Sequence, residues 1–184
     1  MFELLYRITD KREYLETLNE KSFDEGGDIE GFFAINVNGN YYGHCHYSPL
    51  VDDEHGWHLI SEWFINFVLV YQNLNRTNYV ALNDIESFNM WIEFKKDHDL
   101  ISVSIVEKNK EDGVTEFRST PLKDFNYGEW SNEIIKQNEL YDELVSKVSM
   151  FINEVGDINS RLLKSKNVAK LNELLLSLKA SSHA

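Results

Sequence analysis

The sequence predicts an α+β fold: an antiparallel β-meander of about five or six strands, with one inserted helix and a C-terminal helical segment. Apolar and polar residues alternate with a period of two across residues 31–47 and again across 78–120. A helical period replaces this alternation in residues 58–74 and again after residue 131. Because no repeat or linker interrupts the chain, a single domain over residues 1–184 is expected.

The first third of the chain contains the strongest hairpin signal. Residues 2–8 fit either a strand or the start of a helix, and residues 10–21 fit a short helix with Thr9 as N-cap. Two alternating segments, 31–37 and 41–47, flank an Asn-Gly dipeptide, which is typical of a tight hairpin turn. The helix predicted over residues 58–74 would follow this hairpin.

Two registers are open for the first hairpin. A two-residue turn places Phe33 opposite His44, which puts His44 and His46 on the face of Phe33. A three-residue turn places Phe33 opposite Cys45 and moves both histidines to the other face. The second register is favoured because it buries Cys45 and its neighbouring tyrosines and leaves no buried histidine that needs a partner.

A second hairpin is predicted from residues 88–94 and 100–106. If Asp97 and His98 form the turn, Phe94 lies opposite Ile101 and all large apolar residues share one face. The remaining elements are predicted from their periodicity and end signals. They are a strand over 114–120, a long helix from Ser131 that ends at Gly156, and a final helix over 160–179.

The charge of the chain is strongly asymmetric. The net charge is −13; residues 22–94 hold eleven acids and one base, whereas residues 155–184 carry a net charge of +3. This distribution argues against binding to nucleic acid or to an anionic membrane surface and favours a basic protein partner. The leucines of the positive tail are expected to pack on the sheet or to form a homodimer interface.

Two features favour a cytoplasmic protein without a membrane anchor. Cys45 is the only cysteine, so no internal disulfide can form. The opening residues are charged and lack a leader-like apolar run, and the longest apolar segment, 63–71, is too short to span a bilayer.

Histidines are concentrated in residues 41–58, which hold four of the six in the chain. In a strand, His44 and His46 project from one face, and His55 is the third residue of an alternative metal-binding or small-molecule site. The spacing resembles the first cupin motif, but Glu54 follows too late and no second motif appears, so the cupin resemblance is rejected. The prediction is therefore no metal and no cofactor, with these three histidines as the alternative enzymatic centre.

No nucleophile or phosphate-binding motif is present. Cys45 and its neighbouring histidines point to opposite faces of a strand, and the chain has no G-x-S-x-G, Walker or G-x-G-x-x-G sequence. The protein is therefore expected to be a binding protein and not an enzyme. An aromatic residue beside a cluster of acids is typical of a surface that captures a basic protein. The predicted partner-binding residues are Tyr42, Asp52, Asp53, Glu54, Trp57, Glu62 and Trp91.

Three segments carry a resemblance to a known class of proteins: GFFAINVNGNYYGHCHYSPL, DDEHGWHLISEWF and NMWIEFKKDHDLISVSIV. In size, acidity and predicted layout the chain resembles bacterial immunity proteins that protect cells from polymorphic or contact-dependent toxins. The resemblance implies a protein without catalytic residues that binds and inhibits a toxin domain, often a nuclease. A basic toxin domain is therefore the expected partner.

Overall fold

The computed structural model describes residues 1–87, 89–109 and 116–181, and it confirms the α+β class with antiparallel strands. The strands of the described ranges are β1 (Phe2–Ile8), β2 (Glu30–Val37), β3 (Asn40–His44), β4 (His58–Leu59), β5 (Tyr79–Asn83), β6 (Met90–Asp97), β7 (Leu100–Glu107), β8 (Phe117–Arg118), β9 (Asn126–Tyr127) and β10 (Glu133–Lys136). The α-helices there are α1 (Arg12–Thr17), α2 (Glu20–Gly26), α3 (Ile60–Thr77), α4 (Gln137–Ile158) and α5 (Lys166–Ser181), and a 3-10 turn covers Ser160–Lys164.

The strands form two sheets and not one continuous meander. In the smaller sheet the order is β1-β2-β3, and the short strand β4 also pairs with β2. In the larger sheet the order is β10-β7-β6-β5-β8, and β9 also pairs with β7. Strands that follow one another in the chain are neighbours in β1-β2-β3 and in β5-β6-β7, so the predicted meander is divided between the two sheets.

The chain divides into two compact units. We call Leu4–Ile35, Gly43–Val68 and Glu143–Ala184 the groove unit, and Met1–Glu3, Asn36–Tyr42 and Leu69–Asp142 the sheet unit. The single domain expected from the sequence stays a prediction. No helix in the described ranges is both long enough and apolar enough to cross a membrane.

Aromatic side chains form the centre of the groove unit. The ring of Phe33 stacks on Trp63 and on Phe67, with centroid distances of 5.4 and 5.9 Å. Phe64 packs against Phe151 at 5.2 Å. All five are buried, so the apolar stripe of the predicted helix does face a core.

Helix α3 begins at Ile60 because Asp28 satisfies its N-terminus. Asp28 Oδ2 accepts a hydrogen bond from the Glu62 backbone N–H at 2.9 Å, and Ile29 O accepts one from the Ile60 N–H at 3.0 Å. Burial raises the pKa of Asp28, whose carboxylate also accepts a hydrogen bond from the Ile29 N–H at 2.7 Å. The predicted helix over 58–74 is thus confirmed with its boundaries shifted towards the C-terminus.

The first hairpin has the register that the sequence analysis did not favour. Strand β2 ends at Val37 and β3 begins at Asn40, so Asn38 and Gly39 alone form the turn, both with positive φ. The favoured three-residue turn was wrong. Its expected burial of the flanking tyrosines is also absent, since Tyr41 is 57% exposed and Tyr47 is 66% exposed.

The second hairpin keeps the predicted face but not the predicted pairing. Phe94 lies opposite Val103, and Asp97 lies opposite Leu100, so the turn falls one residue later than predicted. His98 in this turn has φ +55°, a conformation suited to a tight hairpin. A shift of two residues leaves each side chain on its original face because strands alternate with a period of two.

The long helix starts later than Ser131. Residues 133–136 form β10, in which Ile135 lies opposite Ile101 and is buried while Ile134 is 50% exposed. Asn132 has φ +57°, which a right-handed helix does not accommodate. The prediction of a helix from Ser131 was therefore wrong by six residues, because pairing with the edge of β7 replaces the helical period.

Two other expected elements are altered. The helix predicted over 10–21 divides into α1 and α2, since Leu18 is extended and the Asn19 side chain accepts a hydrogen bond from the Ser22 N–H. The strand predicted over 114–120 is described only in part, as β8, and residues 114 and 115 lie outside the described residues. Phe88 of the second hairpin also lies outside them.

Candidate functional site

An acidic groove lies within the groove unit. It has a volume of about 830 Å³ and is lined by residues 9–11, Glu30 and residues 50–55. Five of these ten residues are acids, and Lys11 is the single Lys or Arg among them. The groove therefore brings together the predicted carboxylates of residues 52–54 and adds two more, Asp10 and Glu30.

The loop that forms part of this groove, residues 48–57, is here called the recognition loop. Its start is fixed by Arg7, whose Nη1 donates hydrogen bonds to His46 O at 3.1 Å and to Ser48 O at 2.5 Å. Because a guanidinium binds both carbonyls with one rigid group, the chain entering the loop is held in a single direction.

The middle of the recognition loop is closed by Glu54. One carboxylate oxygen lies 2.7 Å from His46 Nε2, and the other accepts a hydrogen bond from the Val51 N–H at 2.9 Å. These contacts, first the Val51 amide and then the His46 ring, lower the pKa of Glu54. Glu54 was predicted to contact a partner, but both of its carboxylate oxygens already have partners inside the chain.

The end of the recognition loop rests directly on a strand. The Gly56 N–H donates to Thr9 Oγ1 at 2.9 Å. A Cβ atom at Gly56 would lie 1.9 Å from the carbonyl carbon of Gly31 in β2, so no side chain fits between the two backbones. The loop is thereby held at its start, middle and end.

Asp10 and Glu30 meet at another part of the groove. The Glu30 N–H donates to Asp10 Oδ2 at 2.8 Å, and Glu30 O accepts from the Thr9 and Asp10 N–H groups at 3.1 and 3.4 Å. Burial raises the pKa of Asp10, and the negative charges of Glu30 and Asp28 raise it further. The ionised carboxylate of Asp10 is therefore held in a place that disfavours its charge.

Apolar side chains are exposed on the same loop. Trp57 is 71% exposed, and its ring centroid lies 4.1 Å from that of His55, which lines the groove. His55 Nδ1 lies 2.8 Å from Asp53 O, and because a carbonyl only accepts, this nitrogen carries a hydrogen. Val51 is also 71% exposed, so large apolar groups lie on both sides of the three consecutive acids in one short segment.

Two predicted partner-binding residues lie outside the groove lining. Glu62 is half-buried in the first turn of α3. Tyr42 belongs to the sheet unit, where its half-buried hydroxyl donates to Asp84 Oδ2. Burial, and then the charge of Asp84, raise the pKa of Tyr42.

Trp91 is removed from the predicted partner-binding surface because it is 1% exposed. Its Nε1–H donates to Lys108 O at 3.1 Å, and the ring packs in a buried cluster with Tyr79, Val106 and Leu122. Strand alternation does place Trp91 on the sheet face opposite to that of Ile92, as predicted. That face of the sheet is covered and not open, so this part of the prediction was wrong.

The histidines of the alternative metal site do not form one. The ring centroids of His44 and His46 lie 5.4 Å apart, and both rings contact Phe32. The ring of His55 contacts Trp57 instead. Across residues 1–87, 89–109 and 116–181, no three His, Cys, Asp or Glu side chains are placed to hold a metal ion. His46 is instead engaged with Glu54.

Sequence reasoning missed Asp10 and Glu30 as groove residues. No local pattern relates Glu30 to residues 50–55, and Asp10 was assigned to a helix. The antiparallel pairing of β4 with β2, with Glu30 opposite Leu59, is the long-range contact that connects these segments. In comparisons with protein families, with curated proteins and with solved structures, nothing matches this chain.

Asp10→Asn is expected to raise the melting temperature at neutral pH. Because the folded-state pKa of Asp10 is raised, the native protein loses stability as pH rises from the ordinary aspartate range near 3.8 through the folded value. Asparagine removes this penalty and still accepts the hydrogen bond from the Glu30 N–H. Melting curves between pH 3 and 7 test this: the gain should be complete at neutral pH and vanish in acid, and a constant difference would contradict it.

Proposed function

We propose that this protein is a non-catalytic inhibitor of the immunity type, which binds a basic protein partner at the acidic groove and the recognition loop. The proposal rests on one observation: five carboxylates line a single groove, and the recognition loop that forms part of this groove exposes Trp57. Five carboxylates with a single lysine among the lining residues favour a cationic ligand, and tryptophan is enriched among the residues that dominate binding at protein interfaces.

The charges act first, at long range. In the groove unit, residues 22–35 and 43–68 hold eight acids and no lysine or arginine, so their field attracts a basic domain and raises the rate of encounter. Asp52 and Asp53 are exposed, whereas the Glu54 carboxylate is bound to His46 and to the Val51 N–H. They are the acids best placed to meet lysine or arginine side chains of the partner.

The apolar side chains act at short range, after encounter. Trp57 and Val51 expose most of their surface, and Leu50 is 36% exposed. Burying them against a partner removes apolar surface from water, which contributes about 25 cal/mol per Å². This division favours fast, salt-dependent association followed by slow dissociation.

The charge contribution is tested with decalysine as a cationic probe. The double variant Asp52→Asn/Asp53→Asn is expected to bind it about fivefold more weakly than the wild type, since an exposed ion pair contributes roughly 0.5 kcal/mol. Asparagine is compatible with the left-handed backbone of Asp53, at φ +66°, so the loop conformation is kept. Isothermal titration calorimetry at low and at physiological ionic strength measures the difference, which salt should reduce.

The matched control removes two charges elsewhere. Glu25 and Glu173 are exposed and do not line the groove. Glu25→Gln/Glu173→Gln has the same net charge as the loop variant but should bind decalysine almost as tightly as the wild type. Equal weakening in both variants would mean that only net charge matters and would overturn the assignment of the site.

The inhibitory function is tested in cells. The gene is expected to lie beside a gene for a toxin with a basic domain, and co-expression of this protein should restore growth of cells that produce that domain. The Asp52→Asn/Asp53→Asn variant should protect less well than Glu25→Gln/Glu173→Gln. A toxin domain from the adjacent gene that stays fully toxic in the presence of the wild-type protein would refute the immunity function.

A further inference from the structure

We infer that Arg7, His46 and Glu54 are positioning residues that fix the recognition loop in its binding conformation before any partner arrives. We call these three residues the latch. The purpose of the latch rests on the proposed function, but its contacts are a property of the unbound chain. Glu54 was predicted to contact a partner, and the structure gives it a different role. It joins Val51 within the recognition loop to His46, which precedes the loop.

The latch is formed by a short chain of contacts. Arg7 Nη1 binds the carbonyl of His46, and the ring of the same histidine lies 2.7 Å from Glu54 Oε1. Glu54 Oε2 accepts from the Val51 N–H at 2.9 Å. Thus one arginine on β1 and one carboxylate within the loop hold the backbone on both sides of residues 48–50.

The consequence for the groove follows from where Asp52 and Asp53 lie. They lie between Val51 and Glu54, which are joined by the hydrogen bond from the Val51 N–H to the Glu54 carboxylate. The backbone turns between these two residues, where Asp53 has a positive φ. A loop of exposed residues would otherwise sample many conformations, and ordering it on binding would weaken the complex. The latch removes this ordering cost because it holds the carboxylates of Asp52 and Asp53 in place before binding.

The chemistry of Glu54 fixes the hydrogen on His46. An ionised carboxylate only accepts hydrogen bonds, so His46 Nε2 carries a hydrogen and donates to Glu54. In Glu54→Gln the amide oxygen can still accept from Val51, and the amide nitrogen can donate to His46 if the histidine moves its hydrogen to Nδ1. Glu54→Ala can make neither contact.

The experiment is performed on the full chain without a partner. Hydrogen exchange of backbone amides in residues 48–57 should become about tenfold faster in Glu54→Ala and should be largely restored in Glu54→Gln. The nitrogen-15 NMR spectrum of His46 should report hydrogen on Nε2 in the wild type and on Nδ1 in Glu54→Gln. Glu25→Gln, at an exposed position outside the groove lining, serves as the control and should leave both readouts unchanged.

The outcomes separate the latch from the function. If Glu54→Ala exchanges as slowly as the wild type, or if the His46 hydrogen does not move in Glu54→Gln, the latch is overturned whatever the protein binds. If the exchange and NMR results are as expected but decalysine fails to bind the wild type, the latch stands and the proposed function fails.

Discussion

Replacing Gly56 by alanine is expected to lower the free energy of unfolding by about 3 kcal/mol, at the upper end of the range for overpacking. The new Cβ would lie 1.9 Å from Gly31 C and 2.1 Å from Gly31 O, and backbone atoms cannot move aside as a side chain can. The recognition loop would have to lift from β2 and lose the hydrogen bond from the Gly56 N–H to Thr9 Oγ1. Urea unfolding followed by circular dichroism measures the loss.

Gly156→Ala is the matched control, since it makes the same chemical change in the same unit. A Cβ there would lie 3.3 Å from Leu163 Cδ1, the end of a flexible side chain. Gly156 lies within α4, where alanine is favoured over glycine by up to about 1 kcal/mol, so this variant should be as stable as the wild type or more stable. If Gly56→Ala unfolded at the same urea concentration as Gly156→Ala, the close seating of the loop on β2 would be disproved.

The parts of the fold that depend on local periodicity could be predicted from the sequence. The helical period of residues 58–74 identified α3, and strand alternation placed Ile92 and Phe94 on the core face even though the pairing was wrong by two residues. Side-chain direction in a strand depends only on parity, so an error of two residues has no effect on which residues are buried. This explains why the predicted core of the second hairpin was confirmed.

The failures lie where a partner strand or a backbone conformation decides between alternatives. Residues 133–136 have enough helical character to continue α4, but β7 offers an edge along Leu100–Val103 that pairs with them. In the first hairpin, positive φ at Asn38, Gly39 and then Gly43 selects a two-residue turn and changes the side-chain alternation after it. Neither edge nor dihedral is visible in hydrophobic periodicity.

Only the local part of the candidate site could be predicted from the sequence. The acids of the recognition loop stand out in the sequence because they are consecutive and precede Trp57. The roles within that run are set by tertiary contacts: Glu54 reaches back eight residues to His46, and Asp10 arrives from another segment. Trp91 shows the converse, because its position on a sheet face was correct but the covering residues were unknown.

The proposed binding groove contains a group that opposes the stability of the unbound chain. Asp10 is partly buried near Glu30 and Asp28, and this raises its pKa and disfavours its ionised form. A cationic partner would relieve this repulsion, so the free energy lost in the unbound chain returns on binding. Asp10→Asn should accordingly separate the two properties, giving a more stable protein that binds decalysine less tightly.

Under the proposed function, Trp57→Ala is expected to weaken binding of a basic partner domain about thirtyfold, which corresponds to about 2 kcal/mol for a tryptophan hot spot. The melting temperature should stay the same, because a ring that is 71% exposed contributes little to the folded core. Tyr14→Ala is the control: Tyr14 is 55% exposed on α1 and does not belong to the recognition loop. Dissociation rates from surface plasmon resonance distinguish them, since loss of a short-range contact accelerates dissociation while leaving the charge-driven association rate intact. Equal affinities for Trp57→Ala and Tyr14→Ala would show that the carboxylates bind without an aromatic anchor.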